Sequence, residues 1–287
     1  SMDQWEALLE SARTGVAPDC ISFGNGSGEL LVQTALIALQ PGDEAVMPSP
    51  TFPTCGKGVQ MAGARIVNVA LRADGVNDVP AMLAAITPRT RLFYLCTPNN
   101  PTGGALTAAE LSLAIAAVPD TCLLVIDEAY HEFALREGGA KLLPLLAGRR
   151  GPWVVSRTFS KAYCMAGLRV GYLLCSSAAL TLGFTRIRHN FNVSRPSLAA
   201  AVAALRDDAH MTATTDKIIA ERAYLAGQLA RLGASHLPSA ANFLTIRSPR
   251  PAADIVAALA RAHIAVQALA WPDALGAVRI TIGSRAD

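Results

Sequence analysis

Short apolar runs alternate with helical stretches from residue 21 to about residue 175, and this alternation restricts the fold more than any other feature. Six runs read as strands: EAVMP (44–48), ARIVNVAL (64–71), RLFYLCTP (91–98), CLLVIDEA (122–129), WVVSRTFS (153–160) and RVGYLLC (169–175). Strands separated by helices are typical of β-α units around a mainly parallel sheet. We therefore predict an α/β fold.

One intervening helix carries a capping signal. In TAAELSLAIAAV, Thr107 precedes the helix and Glu110 follows three residues later, which is the spacing of a capping box. Helices of this kind are expected to cover the sheet.

The pattern changes after about residue 192. Two long Ala-, Leu- and Arg-rich helices are predicted, followed by a short α/β pattern: PSLAAAVAALRDDA (196–209), TDKIIAERAYLAGQLARLG (215–233), NFLTIRS (242–248), AADIVAALARAHIAV (252–266) and VRITIG (278–283). We predict a large domain over residues 1–192 and a smaller C-terminal α/β domain over residues 193–287.

Composition excludes several classes of function. The 287 residues are 52% hydrophobic and 16% charged, which is enough apolar material for a large core. The 25 basic residues are scattered, and the net charge is only +3, so a nucleic-acid partner is not expected. No apolar run reaches the roughly 18 residues of a membrane span, and no basic-then-apolar leader opens the chain. We expect a cytoplasmic protein that acts on small molecules.

Cysteine and histidine spacing adds two expectations. The six cysteines form no C-x-x-C pair, so we expect reduced thiols that serve as packing residues. The five histidines show no ligand spacing, so no metal site is predicted.

Polar motifs follow the predicted strands, at the sheet edge where open α/β folds bind ligands. They are GNGSGEL (24–30), PNNPTG (98–103), DEAYHEF (127–133) and SKAYCMAGLR (160–169). Each has an ordinary interpretation when taken alone: Asn100 suits a turn, Asp127 a helix cap or an ion pair, and Lys161 a solvated surface.

Taken together, these motifs indicate a specific chemistry. They supply a lysine amine, a carboxylate for a ring nitrogen, and amide and phenol donors for a ring oxygen. The N–H groups of Ser27, Gly28 and Glu29 would lie at a helix N-terminus, which favours a phosphate. Such a set of groups is typical of a pyridoxal phosphate site.

The order and spacing of the PNNPTG, DEAY, SK and AGLR motifs resemble the fold type I pyridoxal-phosphate-dependent aminotransferases of class I/II. Within that group, GNGSGEL, PTFPTC, DEAYHEF, NFL and RITIG look most like the histidinol-phosphate aminotransferase-like branch. The resemblance runs from about residue 10 to the end of the chain. It implies a three-layer α/β/α large domain with a mainly parallel sheet, and a smaller C-terminal α/β domain.

The resemblance also implies roles for residues around the cofactor. Lys161 would form the Schiff base, Asp127 would pair with the ring nitrogen, and Tyr130 would complete the catalytic set. The other implied cofactor-binding residues are Ser27, Gly28, Glu29, Phe52, Asn100, Thr158, Ser160 and Arg169. On the substrate side, the resemblance implies that Arg279 binds the α-carboxylate, with Asn242 close by.

The function implied is an aminotransferase that moves an amino group between an amino acid or amine and a 2-oxo acid. The donor would be histidinol-phosphate-like or another amino acid, and the resemblance implies a homodimer. Two alternatives stay open: a decarboxylase of a phosphorylated amino acid, and a catalytically impaired homologue that still binds pyridoxal phosphate.

Three features depart from the family pattern. Gly28 stands where the family usually has an acid, and Gln267 stands where histidinol-phosphate enzymes tend to have a second arginine for the substrate phosphate. The resemblance also leads us to expect that the family's N-terminal arm, which carries an aromatic residue toward the neighbouring subunit, is missing or shortened. These departures affect the expected substrate more than the expected cofactor.

Overall fold

A computed structural model of the chain describes residue 11, residues 13–270 and residues 276–286. Seven strands form the larger sheet, in the order β1-β7-β6-β5-β4-β2-β3. Their bounds are β1 Ile21–Asn25, β2 Glu44–Ser49, β3 Arg65–Ala70, β4 Thr90–Cys96, β5 Leu123–Asp127, β6 Trp153–Thr158 and β7 Val170–Cys175. Strands β2 to β6 pair in parallel, whereas β7 runs antiparallel to β6 and β1. The predicted α/β class and mainly parallel sheet are confirmed.

Helices lie on both faces of this sheet. The described helices are α1 Gly26–Ala38, α2 Pro53–Met61, α3 Val79–Ala84, α4 Ala108–Ala117, α5 His131–Arg136, α6 Leu142–Leu146, α7 Ala178–Ile187, α8 Arg195–Leu205, α9 Asp208–Arg231 and α10 Ala252–Arg261. Because successive strand residues point to opposite faces, Leu123 and Val125 pack into the core beneath α1 and α2. Leu124 and Ile126 pack into the core on the opposite face. The result is a three-layer α/β/α arrangement.

The predicted capping box is present at the start of α4. The Glu110 N–H donates to Oγ1 of Thr107 at 3.3 Å, and the Thr107 N–H donates to Oε2 of Glu110 at 2.8 Å. Both side chains therefore satisfy backbone donors that have no partner within the helix.

Strand β1 is not among the six predicted strands. Its sequence, ISFGN, is short and contains Ser and Gly, so the local pattern is weak. The strand forms because it pairs with β7, placing Phe23 opposite Tyr172 with their ring centroids 5.8 Å apart. The sequence around residue 21 gives no information about the pairing with β7, so the strand could not be predicted from it.

The helix predicted over residues 196–209 is wrong in one respect, because the structure divides it. Helix α8 ends at Leu205, and Asp207 acts as the N-cap of α9. Oδ1 of Asp207 accepts the N–H of His210 at 2.9 Å. Asp207, predicted to lie within the first helix, therefore caps the next one, and the second long helix begins at Asp208, earlier than predicted.

A smaller sheet follows, with the order β8-β10-β9 and antiparallel pairing throughout. Its strands are β8 Phe243–Ser248, β9 Gln267–Leu269 and β10 Gly276–Thr281. Arg279 on β10 lies directly opposite Gln267 on β9. Side chains of such a cross-strand pair share one face of the sheet. The proposed division at residue 192 stays a prediction.

The sheet register brings the predicted motifs to one edge. Cys96 at the end of β4 lies opposite Asp127 at the end of β5, and Asp127 lies opposite Ser156 near the end of β6. Since β7 is antiparallel, it enters the sheet where β6 leaves it, with Thr158 opposite Gly171. Residues just after β6 and just before β7 are therefore neighbours at this edge.

Among the residues that the structure describes, no helix is both long enough and apolar enough to cross a membrane. The six cysteines are free thiols.

Candidate active site

A cavity of about 270 Å³ opens at this edge of the large sheet. It is lined by Ser27, Gly28, Phe52, Thr54, Cys96, Asn100, Asp127, Ala129, Tyr130, Thr158, Ser160, Lys161, Ala166 and Arg169. The structure thus brings together every predicted cofactor residue except Glu29. Motifs more than a hundred residues apart in the sequence meet in this single cavity.

Four lining residues are not among those predicted: Thr54, Cys96, Ala129 and Ala166. Cys96 has a signal in the sequence, because it ends the run RLFYLC as Asp127 ends the run CLLVID. Thr54, Ala129 and Ala166 are small residues. They lie at the cavity because of the course of the backbone, and no local sequence pattern predicts this.

Asp127 is a deeply buried carboxylate in this cavity, with 2% of its surface exposed. The Tyr94 hydroxyl donates to Oδ2 at 3.0 Å, and the Ala129 N–H donates to Oδ1 at 3.2 Å. Burial raises the pKa of Asp127 to about 6, against the lowering effect of these two donors and of Lys161. At neutral pH the carboxylate is therefore mostly ionised and available to a positively charged partner.

Lys161 is partly buried in the cavity wall, in the loop between β6 and β7. Burial lowers the pKa of Lys161, and the positive charges of Arg279 and Arg169 lower it further, while Asp127 opposes them. Its Nζ lies 5.4 Å from the centre of the Tyr130 ring. These surroundings favour a neutral amine, which is the nucleophilic and proton-accepting form of lysine.

One end of the cavity is the N-terminus of α1. The helix begins at Gly26 after the N-cap Asn25, so the N–H groups of Ser27 and Gly28 have no acceptor within the helix. The N–H of Glu29, four residues after the N-cap, is the first that the helix itself pairs. A Cβ added to Gly171 would lie 2.3 Å from the Ser27 nitrogen, so β7 packs directly against this turn. The end of the cavity therefore presents backbone donors and a positive helix dipole, which suit an anion.

Arg169 adds a guanidinium to the same end of the cavity. Its backbone has φ 57° and ψ 56°, a left-handed conformation that is uncommon for residues other than glycine. Gly26, with φ +77°, lies so close that a Cβ there would be 2.2 Å from Nη2 of Arg169. The glycine and the strained arginine together let a cation approach the helix terminus closely.

Two hydroxyl groups complete this anion-binding end. The Thr158 hydroxyl lies 3.0 Å from that of Ser160, and the Ser160 N–H donates to Oγ1 of Thr158 at 3.1 Å. Both side chains line the cavity. Hydroxyl, amide and guanidinium donors thus surround the position predicted for a phosphate.

Arg279 reaches the site from the small sheet. Its Nη1 donates to Oδ1 of Asn100 at 2.7 Å, and its guanidinium carbon lies 4.9 Å from the centre of the Phe243 ring. Phe243 in turn meets the Tyr130 ring edge-on, with centroids 5.3 Å apart. Among the described residues, the buried Nε of Arg279 has no hydrogen-bond partner. A held guanidinium with a free donor is suited to a carboxylate.

Three predicted residues do not line the cavity: Arg279, which contacts the lining residue Asn100, and Glu29 and Asn242. Oε2 of Glu29 accepts the Asn25 N–H at 2.6 Å and the Asn192 side chain at 2.9 Å, so this carboxylate ties the start of α1 to a later loop. Asn242 accepts the Ile282 N–H through its backbone carbonyl at 2.9 Å, which links β8 to the chain after β10.

Pyridoxal phosphate fits this set of residues by its chemistry. Its phosphate matches the donors at the start of α1, its ring nitrogen matches a buried acid, and its aldehyde matches a lysine amine with a lowered pKa. Within the described ranges, no group of three or more His, Cys, Asp or Glu side chains is placed to hold a metal ion.

Comparison with known proteins gives a consistent result. The family model described as aminotransferase class I and II matches residues 5–287. A histidinol-phosphate aminotransferase 2 from Caulobacter vibrioides is 42% identical over 276 residues, covering 96% of this chain and 72% of that protein. An aromatic amino acid aminotransferase from Rhodococcus jostii is 40% identical over 273 residues, covering 95% of this chain and 74% of that protein.

A solved structure is also closely similar. The crystal structure of histidinol-phosphate aminotransferase from Sinorhizobium meliloti in complex with pyridoxal-5'-phosphate superposes with a TM-score of 0.92 at 32% identity. The match covers 99% of this chain and 78% of that one.

The electrostatic coupling between Arg279 and Lys161 can be measured directly. In Arg279→Gln we expect the pKa of Lys161 to rise, because a nearby positive charge that disfavours the ammonium form is removed. The readout is the pH dependence of Lys161 acetylation, followed by mass spectrometry, with the exposed Lys57 as internal reference.

The matched control is Arg285→Gln, which removes an arginine that instead pairs with Glu221. It should leave the Lys161 midpoint in place. If the pH midpoint of Lys161 acetylation in Arg279→Gln equals that of the unsubstituted protein, the electrostatic coupling is contradicted.

Proposed function

Because the chain belongs to the class I and II aminotransferases, we propose that Lys161, Asp127 and Arg279 carry out its transfer of an amino group to a 2-oxo acid. The reaction class follows from the family: the protein is a pyridoxal-phosphate-dependent transaminase. The observation that most supports these roles is the buried pair of a lysine with a lowered pKa and an acid with a raised one, in a single cavity.

Pyridoxal phosphate supplies an aldehyde that takes up the substrate's amino group and a ring that stabilises negative charge on the adjacent carbon. We assign its phosphate to the α1 N-terminus with Arg169, its ring face to Phe52 and its ring oxygen to Asn100 and Tyr130. The phosphate-binding groups are the N–H groups of Ser27 and Gly28 and the hydroxyls of Thr158 and Ser160. Support comes from the lining of the cavity and from the N–H groups of Ser27 and Gly28, which have no acceptor within α1.

Lys161 acts twice in this proposal. Its Nζ would hold the aldehyde until the substrate's amino group replaces it. The freed amine would then take the proton from the substrate's α-carbon and, as the ammonium, give it to the former aldehyde carbon. Attack on the aldehyde and uptake of the proton both need the neutral amine, which burial and the charges of Arg279 and Arg169 favour.

Asp127 keeps the ring nitrogen protonated. With a pKa of about 6, its carboxylate is mostly ionised at neutral pH and favours a proton on a nitrogen placed against it. We expect this role to weaken as the pH falls through 6, because protonation of the carboxylate removes the charge.

Arg279 binds the substrate's α-carboxylate. Asn100 and Phe243 hold the guanidinium, and its Nε has no hydrogen-bond partner among the described residues. A planar guanidinium can form two parallel hydrogen bonds to a carboxylate, which fixes the α-carbon relative to Lys161.

The role of Lys161 predicts a specific loss. Lys161→Ala should lower the rate of 2-oxo acid formation from an amino donor by at least about a hundredfold, since general acid–base catalysis typically contributes that much. The measurement is 2-oxo acid release together with carbon dioxide release, which also tests the decarboxylase alternative. The exposed Lys57→Ala is the matched control.

Normal 2-oxo acid formation by Lys161→Ala would rule out the assignment. If the unsubstituted protein binds the cofactor but converts no amino donor, it is a catalytically impaired homologue. Transamination is favoured because the relatives reported above are named as aminotransferases.

The nature of the amino donor is a separate proposal. The relatives include both histidinol-phosphate and aromatic amino acid aminotransferases. Gln267, directly opposite Arg279, places a neutral side chain on the face that the substrate would contact. A neutral amide attracts a phosphate less than a cation would, so we propose that an uncharged ring, as in an aromatic amino acid, is preferred to a phosphorylated side chain.

A substrate screen tests this preference. Phenylalanine, tyrosine and histidinol phosphate are compared by the rate at which each converts bound cofactor to its amine form. We expect the aromatic amino acids to react with the higher kcat/KM, and Gln267→Arg to shift the ratio toward histidinol phosphate. Gln60→Arg adds the same charge at an exposed helix position and should leave the ratio unchanged. A native preference for histidinol phosphate would contradict the proposal.

We also propose that the protein acts as a cytoplasmic homodimer. The six free thiols support a reducing compartment. Phe191 is 98% exposed and lies next to Asn192, which binds Glu29 in the first turn of α1. An exposed aromatic ring adjoining the site suits a subunit interface.

Light scattering tests the dimer. A mass twice that of the 30.0 kDa chain is expected, with Phe191→Ser shifting the equilibrium toward monomer. A fully active 30.0 kDa species would contradict it.

A further inference from the structure

Tyr94 lies beneath the cavity and has no part in the mechanism so far. It is on β4, its side chain is completely buried, and its hydroxyl donates to Oδ2 of Asp127 at 3.0 Å. We propose that Tyr94 is a positioning residue: its hydroxyl fixes the Asp127 carboxylate in the orientation that faces the cavity. This inference rests on the role of Asp127 proposed above.

The sheet register explains how Tyr94 reaches this carboxylate. Cys96 is the neighbour of Asp127 on the adjacent strand, and Tyr94 lies two residues earlier on the same face of β4. The phenol extends along the strand toward the edge of the sheet, where a shorter side chain would end before reaching Asp127. Phenylalanine would fill the same space but could not donate.

Two donors define the orientation of the carboxylate. Tyr94 binds Oδ2, and the Ala129 N–H binds Oδ1 at 3.2 Å. One donor is a side chain of β4 and the other is the backbone that follows β5, so rotation of the carboxyl group would break both hydrogen bonds. Without the phenol, only the longer backbone contact remains.

The charges around Asp127 give the phenol a second effect. The groups that interact electrostatically with Asp127 are Tyr94, Cys96, Cys55, Tyr130, Glu128 and Lys161. Lys161 is the only cation in this set. Burial and the charge of Asp127 raise the pKa of both thiols and both phenols, so these four groups stay neutral.

Tyr94 therefore remains a donor over the working pH range, because its own pKa is raised well above the usual value. A hydrogen bond to the charged form of an acid favours that form. Removing the donor must raise the pKa of Asp127, so that less of it is ionised at neutral pH.

The test is Tyr94→Phe in the full chain, with and without bound cofactor. The titration of Asp127 is followed by infrared spectroscopy, using the protonated-carboxyl band that is absent in Asp127→Asn. In the cofactor-free protein the midpoint should rise by about one to two pH units, the size expected for loss of a hydrogen bond to a charged group. A midpoint equal to that of the unsubstituted protein overturns the inference, whatever the activity.

Tyr172→Phe is the matched control. Tyr172 is also a buried tyrosine of the same sheet, and it does not line the catalytic cavity. This variant should leave the Asp127 midpoint in place. An equal shift in both variants would mean that loss of any buried hydroxyl perturbs the sheet, and would overturn a specific role for Tyr94.

Kinetics of the loaded enzyme separate this inference from the proposed function. In Tyr94→Phe the acid limb of kcat should move to higher pH by the same amount as the carboxyl midpoint, with KM for the amino donor unchanged because Arg279 is untouched. If the midpoint moves but Asp127→Asn transaminates normally, Tyr94 does position the carboxylate, and the proposed role of Asp127 fails instead.

A second variant covers the case in which Tyr94→Phe does not fold. Site-specific 3-fluorotyrosine at position 94 keeps the shape and the donor but makes the phenol more acidic and the hydrogen bond stronger. The Asp127 midpoint should then move to lower pH. A midpoint that stays in place or rises contradicts the inference.

Discussion

Parallel strands end at a common edge, and the rest of this structure depends on that constraint. Strands β4, β5 and β6 end at Cys96, Asp127 and Thr158, which therefore lie at the same edge of the sheet. Because β7 runs antiparallel to β6, the loop that joins them, with Lys161 and Arg169, lies at the same edge. Gly171 near the start of β7 has no side chain, so the first turn of α1 can pack against this strand. Helices on both faces cover the centre of the sheet, so the polar groups that follow its central strands meet ligands at this edge.

Burial acts in opposite directions on the two titratable groups at the centre of the site. It raises the pKa of Asp127 and lowers the pKa of Lys161, because a low-dielectric surrounding disfavours the charged form of each. Hydrogen bonds from Tyr94 and Ala129 keep the acid ionised at neutral pH, while the charge of Arg279 favours the neutral amine. The same cavity therefore combines an anion with a basic amine, which are the two groups that the proposed mechanism needs.

The residues proposed to bind the cofactor and those proposed to bind the substrate come from different parts of the fold. The groups assigned to the cofactor come from the large sheet and its helices, whereas Arg279 and Gln267 face each other across two short strands of the small sheet. A change of substrate can therefore occur on the small sheet without disturbing the phosphate-binding donors. This separation agrees with relatives that share the family but carry the names of different amino donors.

The sequence by itself determined the α/β class, the capping box of Thr107 and the residues of the cavity that stand in recognisable motifs, such as Lys161, Asp127 and Arg169. The fold class follows from local periodicity. The capping box and the cavity residues follow from short motifs that are contiguous in the sequence. Strand β1 and the contact from Tyr94 to Asp127 were decided by the tertiary structure. The first depends on pairing with a strand about 150 residues away, and the second on the register between β4 and β5. Such pairings join distant segments, so no local stretch of sequence specifies them.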